Sequence, residues 1–217
     1  MRINQRQIEI LELINKFGYI SENMVGDYFE LNQKAVSGVG DRLKKAGLIK
    51  KERVLVSDRQ YWFLDKLGAE IISGKLITRI SPSTVIHNSY VFKLAINYLK
   101  QSKKVKLEKE ARHEQGIKFN SSEVFLPDLL IDESKAIEVE LSIKSPKRIT
   151  KKVARYNFDV KILEVHWISN KEIVLKKLQK LISGAKHKFY IFDNDVLNLT
   201  EYGRANVAEV SERKFLK

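Results

Sequence analysis

The sequence predicts an α+β protein with two domains. In the first fifty residues, apolar positions recur at helical spacing, and further along the chain short β-branched runs alternate with helical segments. The 217 residues, 43% of them hydrophobic, can bury two small cores. We therefore predict a small helical domain ending in a β-hairpin over residues 1–80, an α/β domain with a mixed sheet of about five strands over 86–195, and a C-terminal extension over 196–217. The segment ISPSTVIHN, which contains Ser and Pro, is expected to link the two domains, and VKLEKE is expected to be a strand of the second domain.

The first domain is predicted from its apolar periodicity and its capping residues. Residues 5–17 have the three-and-four spacing of a helix with one buried face, and Gly18 ends that helix. Ser21 is a good N-cap for a second short helix, and Asn32 is a good N-cap for a third helix over residues 33–46. We therefore expect three helices before residue 47.

A hairpin pattern follows the third helix. The run VLVSDRQYWFL contains two strand-like segments around the turn signal Ser57-Asp58. The stretch KKAGLIKKERVLVSDRQYWFLDKLGAEII resembles the segment of winged helix-turn-helix proteins that joins the recognition helix to the wing, and the resemblance covers residues 5–75. It implies that the third helix enters a DNA major groove. The alternative is that this surface mediates protein contacts.

Two glycines complicate the third helix. Gly38 and Gly40 lie in its interior, where each glycine costs about 1 kcal/mol relative to alanine. Three explanations stay open from the sequence: close approach of a neighbouring helix, close approach of a phosphate backbone, or a helix that begins later.

Composition limits the partners and the compartment. Forty Lys and Arg against 27 Asp and Glu give a net charge of +13, which predicts a polyanionic partner, with double-stranded DNA as the leading candidate. The absence of cysteine excludes disulfides and thiolate metal sites, and the four histidines lack metal-ligand spacing. No apolar run reaches about 18 residues, and the N-terminal segment is polar, so we expect a cytoplasmic protein without a membrane partner.

Three carboxylates are concentrated in the stretch PDLLIDESKAIEVELSIKS. Asp128, Glu138 and Glu140 lie within thirteen residues of a positively charged chain. Glu138 and Glu140 share one face of a strand, and Asp128 joins them if the hairpin connection has an odd number of residues, which we predict. Convergent carboxylates require a divalent metal or a lysine. The alternative is a solvent-facing sheet edge whose glutamates maintain solubility.

This hairpin resembles the PD-(D/E)XK restriction-endonuclease-like superfamily. Pro127-Asp128 matches the first motif element and Glu138 the second acid, whereas Glu140 stands where the superfamily usually has lysine. The resemblance implies that Asp128, Glu138 and Glu140 hold Mg²⁺ or Mn²⁺, with Lys144 stabilising charge on the scissile phosphate. Glu108 or Glu110 would be a further ligand. Because the lysine is replaced, the resemblance leaves both cleavage and binding alone open.

A basic helix is predicted directly after this hairpin. Six basic residues and no acidic residue lie between Lys144 and Arg155. Those at every fourth position form a ridge, which predicts contact with a phosphate backbone, while Ile149, Val153 and Tyr156 face the sheet.

In the first domain Gln33, Ser37 and Asp41 are predicted to read base edges. The predicted phosphate contacts are Lys34, Lys44, Lys50, Lys51, Arg53, Lys147, Arg148, Lys151, Lys152 and Arg155.

A narrower resemblance covers nearly the whole chain. The winged helix, the IHNSYVFKLAINYL helix, the Pro-Asp strand, the EVEL strand and the basic helix ending in Tyr156 together resemble the replication-relaxation family. This implies a double-stranded DNA-binding accessory protein for replication or relaxosome-type mobilisation of a plasmid or mobile element. A relaxase or replication protein would be its partner, DNA binding would need no cofactor, and a homodimer stays open. The alternatives are a metal-dependent endonuclease and a winged-helix transcriptional regulator.

Overall fold

The α+β class predicted from the sequence is confirmed. The structure, a computed structural model, describes residues 3–54, 60–77, 80–117, 125–142, 144–192 and 199–201. The chain divides into two compact units, Met1–Lys100 and Gln101–Lys217. Within the described ranges, no helix has the length and apolar character needed to cross a membrane.

The described residues of the first unit form five helices and a three-stranded sheet. Its elements are α1 (Gln5–Phe17), β1 (Ile20–Ser21), α2 (Glu22–Phe29), α3 (Gln33–Lys45), β2 (Ile49–Glu52), β3 (Tyr61–Leu64), α4 (Lys66–Ile71) and α5 (Pro82–Lys100). The sheet is antiparallel in the order β1-β3-β2. Three helices followed by a hairpin is the element order of a winged helix. The predicted turn at Ser57-Asp58 lies outside the described residues.

The predicted capping residues Gly18, Ser21 and Asn32 end α1 and begin α2 and α3, respectively. The Asn4 side chain caps α1 in a capping box with Gln7, and Gly18 ends that helix with φ 86°. The Ser21 hydroxyl accepts from the Met24 N–H at 3.3 Å. The Asn32 side chain accepts from the Ala35 N–H at 2.9 Å, so α3 begins at Gln33 and the explanation of its glycines by a later start is wrong.

Helix α5 belongs to the first unit, which moves the expected domain boundary. The segment ISPSTVIHN was predicted to be a linker, but α5 begins within it at Pro82, a residue tolerated in a first helical turn. The Phe92 ring lies 4.6 Å from the Phe17 ring and 5.4 Å from the Tyr19 ring, centroid to centroid, and Asn88 donates to the Tyr19 hydroxyl at 2.9 Å. The division between the units therefore falls after Lys100 rather than near residue 80.

The second unit is built on a mixed six-stranded sheet. Its elements are β4 (Val105–Leu107), α6 (Glu108–Glu114), β5 (Leu129–Ile131), β6 (Lys135–Val139), α7 (Pro146–Phe158), β7 (Glu164–Ser169), α8 (Glu172–Leu181), β8 (His187–Phe192) and β9 (Leu199–Glu201). The strand order is β4-β5-β6-β7-β8-β9. Strands β6, β7 and β8 are parallel, and the remaining pairs are antiparallel.

Two segments of the second unit differ from the expectation. The run VKLEKE was predicted to be one strand, but β4 ends at Leu107, and α6 begins at Glu108. In the predicted C-terminal extension, the described residues are 199–201, and they form β9 against β8. The described residues of this unit therefore form a mixed sheet of six strands, in line with the expected number of about five.

The core of the second unit lies between the sheet and helices α7 and α8. Its centre is the fully buried Trp167 on β7. The residues packed in this cluster are Ala136, Ile149, Val153, Tyr156, Ile162, Val165, Val174, Leu175, Leu178 and Ile182. Because alternate strand residues share a face, Glu138 lies on the same side of β6 as Ala136, beneath α7.

Candidate functional site

The hairpin of β5 and β6 has the register that lets the carboxylates converge. Leu129 pairs with Ile137, and Ile131 pairs with Lys135, so residues 132–134 form the connection. Its number of residues is odd, as predicted. Continuing this register by one residue, from Leu129 to Asp128, places Asp128 opposite Glu138.

The two glutamates of this hairpin are inside the protein. Strand β6 lies between β5 and β7, and Glu138 and Glu140 are both buried, with exposed fractions of 0% and 1%. The alternative of a solvent-facing sheet edge is therefore wrong. A buried carboxylate needs a compensating partner, because removing an ion from water is unfavourable by several kcal/mol or more.

Helix α7 supplies both partners of Glu138. The Lys152 ammonium donates to Oε2 of Glu138, and the Tyr156 hydroxyl donates to Oε1. Both donors are nearly inaccessible to solvent. Lys152 was predicted to contact DNA phosphates from an exposed ridge, and its burial beside Glu138 corrects that prediction.

A signal for this burial is present in the sequence. Ile149, Lys152, Val153 and Tyr156 have the i, i+3, i+4, i+7 spacing of one helical face, and all four are buried. Lys152 was grouped with its charged neighbours by composition, whereas its position in this spacing assigns it to the buried side.

Glu140 has two cationic neighbours. The Lys144 ammonium lies 2.8 Å from Oε2 of Glu140, and the Lys152 ammonium lies 3.8 Å from Oε1. The Glu140 backbone N–H donates to the Ile168 carbonyl at 2.8 Å, which fixes the chain beyond the end of β6. Lys144, expected to stabilise charge on a phosphate, is thus held beside Glu140.

Asp128 contributes charge to the cluster and a hydrogen bond to the hairpin. Its Oδ2 accepts from the Val139 N–H at 2.7 Å. Its negative charge acts on both Glu138 and Lys152. Asp128, Glu138, Glu140 and Lys152 are hereafter called the carboxylate cluster.

Burial controls the protonation of this cluster. Burial raises the pKa of Glu138 to about 7, with the charge of Asp128 adding to the rise and the charge of Lys152 opposing it. For Lys152, burial opposes the charged form, but the three carboxylates outweigh it and raise the pKa of the ammonium. Burial, followed by the charge of Glu138, raises the pKa of the Tyr156 hydroxyl well above its usual value. Lys152 is therefore cationic at neutral pH.

The expected Mg²⁺ or Mn²⁺ would share the cluster with the Lys152 ammonium, which already bonds to Glu138. Both carboxylate oxygens of Glu138 already accept hydrogen bonds. Glu108, named as a further ligand, pairs with Arg112 at 2.7 Å, and Glu110 accepts from the Leu107 N–H at 2.7 Å. Over the ranges that the structure describes, no three or more His, Asp or Glu residues form a metal-binding group.

The predicted DNA face of the first unit is largely exposed. Gln33 and Ser37 lie on the outer face of α3, with Gln33 exposed and Ser37 half-buried. The exposed predicted phosphate contacts of this unit are Lys34, Lys44, Lys50 and Arg53. The surface hereafter called the α3 face consists of Gln33, Lys34, Ser37, Lys44, Lys50 and Arg53. Lys50 also lies 3.7 Å from Asp65.

Lys51 and Asp41 are paired with each other instead. The Lys51 ammonium lies 2.8 Å from Asp41 and 3.0 Å from Glu22, and its side chain is 3% exposed. It also lies 5.4 Å from the centre of the Trp62 ring, whose indole N–H donates to Glu22 at 3.1 Å. These contacts link α2, α3, β2 and β3. The burial of the Lys51 side chain corrects the prediction of Lys51 as a phosphate contact, whereas the Asp41 side chain is 69% exposed, and its contact with base edges stays a prediction.

The outer side of α7 keeps the predicted basic ridge. Lys147, Arg148 and Lys151 are exposed, and Arg155 is half-buried. These four residues are hereafter called the α7 ridge. The Lys186 ammonium donates to the carbonyls of Tyr156 and Asp159 at 2.9 and 3.0 Å, which satisfies acceptors at the C-terminal end of α7.

Comparison of the chain with family models, curated proteins and solved structures finds no match.

Proposed function

We propose that this chain is a double-stranded DNA-binding accessory protein. The role is the one implied by the resemblance to the replication-relaxation family, in replication or mobilisation of a plasmid or mobile element. The observation that carries the proposal is the α3 face, which displays cations and polar groups on the outer side of the third helix and the hairpin of a winged-helix order. A helix in this position and of this character suits a major groove.

Different residues of the α3 face contact the DNA backbone and the base edges in this proposal. Lys34, Lys44 and Arg53 are exposed cations and serve in this proposal as phosphate contacts. Gln33 and Ser37 present hydrogen-bonding groups that can discriminate base edges. The pairing of Lys51 with Asp41 holds α3 against the hairpin, so both bind the same duplex as one rigid surface.

The second unit adds a backbone contact in this proposal. The α7 ridge has no acidic residue between its cations, so it attracts phosphates and repels itself without them. The carboxylate cluster beneath it already holds the Lys152 ammonium beside Glu138, so the proposal includes no cleavage step.

Duplex binding by the α3 face is testable by fluorescence anisotropy with a labelled mixed-sequence duplex. The double variant Lys34→Ala/Lys44→Ala is expected to weaken binding at least tenfold at low salt, because two phosphate contacts are lost. The control Lys66→Ala/Lys75→Ala removes the same charge outside α3 and the hairpin, and should bind nearly as the wild type does. Equal weakening by both doubles would mean that only net charge matters, and no binding by the wild type at low salt would refute the proposal.

Two further measurements separate the alternatives. A supercoiled plasmid incubated with Mg²⁺ or Mn²⁺ should stay intact; nicking that is lost in Asp128→Ala/Glu138→Ala would establish the metal-dependent endonuclease instead. Footprinting on the DNA that carries the gene should locate a site at a replication or transfer origin. Protection confined to promoters would support the transcriptional regulator.

A further inference from the structure

We propose that the ammonium group of Lys152 is the resident counter-cation of the carboxylate cluster and replaces a divalent metal there. The second unit then needs no metal to hold the cluster together, and removal of Lys152 creates a divalent-cation site. This inference concerns the second unit alone and does not depend on DNA binding.

The position of one nitrogen atom is the first step. The Lys152 ammonium bonds to Glu138 and lies 3.8 Å from Glu140, and the charge of Asp128 acts on it as well. Its side chain is 6% exposed, and that of Glu138 is fully buried, so water screens their attraction little. The Lys152 ammonium thus interacts with all three carboxylates, the position that a metal ion takes in a carboxylate site, while Lys144 pairs with Glu140 from a more exposed position.

The hydrogen bonds of Glu138 are the second step. Lys152 uses one carboxylate oxygen and Tyr156 uses the other, and both come from the same face of α7. A divalent ion at Glu138 would stand beside the charged Lys152 ammonium. Two cations a few ångströms apart in a buried site repel each other, so Lys152 lowers the affinity of the cluster for a metal.

The oxygen ligands that remain after Lys152 is removed are the third step. Replacing Lys152 by alanine removes the ammonium and most of its stem but leaves the oxygens of Glu138 and Glu140 in place. Hard divalent ions with partial hydration prefer such oxygen ligands. In this variant Glu138 loses its ammonium partner and still lies near the other carboxylates, so the variant should be less stable until Mn²⁺ is added.

Thermal unfolding of the full chain, with excess EDTA or with a MnCl₂ titration, tests the inference. The wild type should unfold at the same Tm in both conditions. Lys152→Ala should unfold at a lower Tm in EDTA and regain several degrees with Mn²⁺, in a response that saturates and matches one site by calorimetry. The control Lys151→Ala removes the adjacent exposed ammonium and should behave as the wild type does.

Several results would overturn it. A Tm of the wild type that rises with Mn²⁺, and no longer rises in Glu138→Gln, would make the cluster a resident metal site. A folded Lys152→Ala that ignores Mn²⁺ would show that the carboxylates do not share a cation. If Lys152→Ala does not fold, Lys152→Met and Lys152→Met/Glu138→Gln decide: the double variant must be the more stable, because it removes both charges, and the opposite order refutes the inference.

Discussion

At the scale of single residues, Glu138 should make stability depend on pH. Burial raises its pKa in the folded state to about 7 from 4.5. The folded protein therefore holds this proton more tightly, so the stabilising contribution is complete below the unfolded pKa and is lost as pH rises through about 7. Compared with Glu138→Gln, the wild type should lose free energy of unfolding between pH 5 and pH 8.

Urea denaturation of both proteins across this range measures the difference. His166 and His187, whose pKa values are lowered by burial, act in the opposite direction, but both proteins contain them, and their effect cancels. Two parallel profiles would contradict the raised pKa of Glu138.

The burial of the Lys51 and Lys152 side chains was not predicted from the sequence. Both occur in basic runs, and both were predicted to contact phosphates. In the structure each one neutralises buried or half-buried carboxylates: Lys51 pairs with Glu22, and Lys152 pairs with Glu138. Composition gives the sign of a charge, whereas the burial of the charged side chain depends on which helical face or strand face the residue occupies. For Lys152 the helical spacing carried that information; Lys51 needed the position of α3 against the hairpin, which is tertiary.

At the scale of the element, α3 contains two glycines with opposite roles. A Cβ at Gly40 would lie 2.3 Å from the fully buried Trp62 ring, so this glycine exists for close packing of α3 on β3. A Cβ at Gly38 would meet only the Arg42 guanidinium, at 3.9 Å. Gly38→Ala should stabilise the protein by up to about 1 kcal/mol through helix propensity. Gly40→Ala should destabilise it by about 1–3 kcal/mol through overpacking.

Chemical denaturation of the two single variants tests this contrast, since they make the same change in one helix. A destabilised Gly38→Ala would mean that the outer face of α3 is packed. If Gly38→Ala is more stable and yet binds duplex DNA more weakly, the explanation by close approach of a phosphate backbone is supported. Gly40 already has its explanation in the Trp62 ring.

Elements with local signals were predictable, and those without were not. Helices α1, α2 and α3 follow from apolar spacing and from Asn4, Ser21 and Asn32, side chains that bond within a few residues. The start of α5 was missed because Ser-Pro was treated as a linker, although proline suits a first turn. Helix α6 was missed because its short sequence, EKEARHE, continues directly from β4.

The candidate site also has a part that local sequence signals predicted and a part that depends on the packing of α7. Alternation along β6 predicted that Glu138 and Glu140 share a face, and the odd connection of the hairpin was predicted from what convergence requires. The partner of Glu138 comes from α7, fourteen residues further along the chain, and depends on how that helix packs on the sheet. The sequence therefore predicted that a metal or a lysine is needed, and the packing of α7 supplies the lysine.

At the scale of the whole molecule, both units carry exposed cations that can bind one polyanion. The α3 face lies in the first unit and the α7 ridge in the second. Net positive charge is also divided between the two units: residues 1–100 contain 16 basic and 10 acidic residues, and residues 101–217 contain 24 basic and 17 acidic residues, so the net charges are +6 and +7. Linked modules that bind the same duplex gain affinity because the second contact is intramolecular.

The salt dependence of duplex affinity reports how many phosphates each unit contacts. Each contact contributes about 0.9 to the slope of log K against log salt. Lys34→Ala/Lys44→Ala should reduce the slope by about 1.8, and Lys147→Ala/Lys151→Ala should do the same if the α7 ridge binds backbone. The quadruple variant should show the sum, because the two sets lie on different units. Lys177→Ala/Lys180→Ala, an equal charge change on α8, should leave the slope nearly unchanged; an unchanged slope in the α7 double as well would confine DNA binding to the first unit.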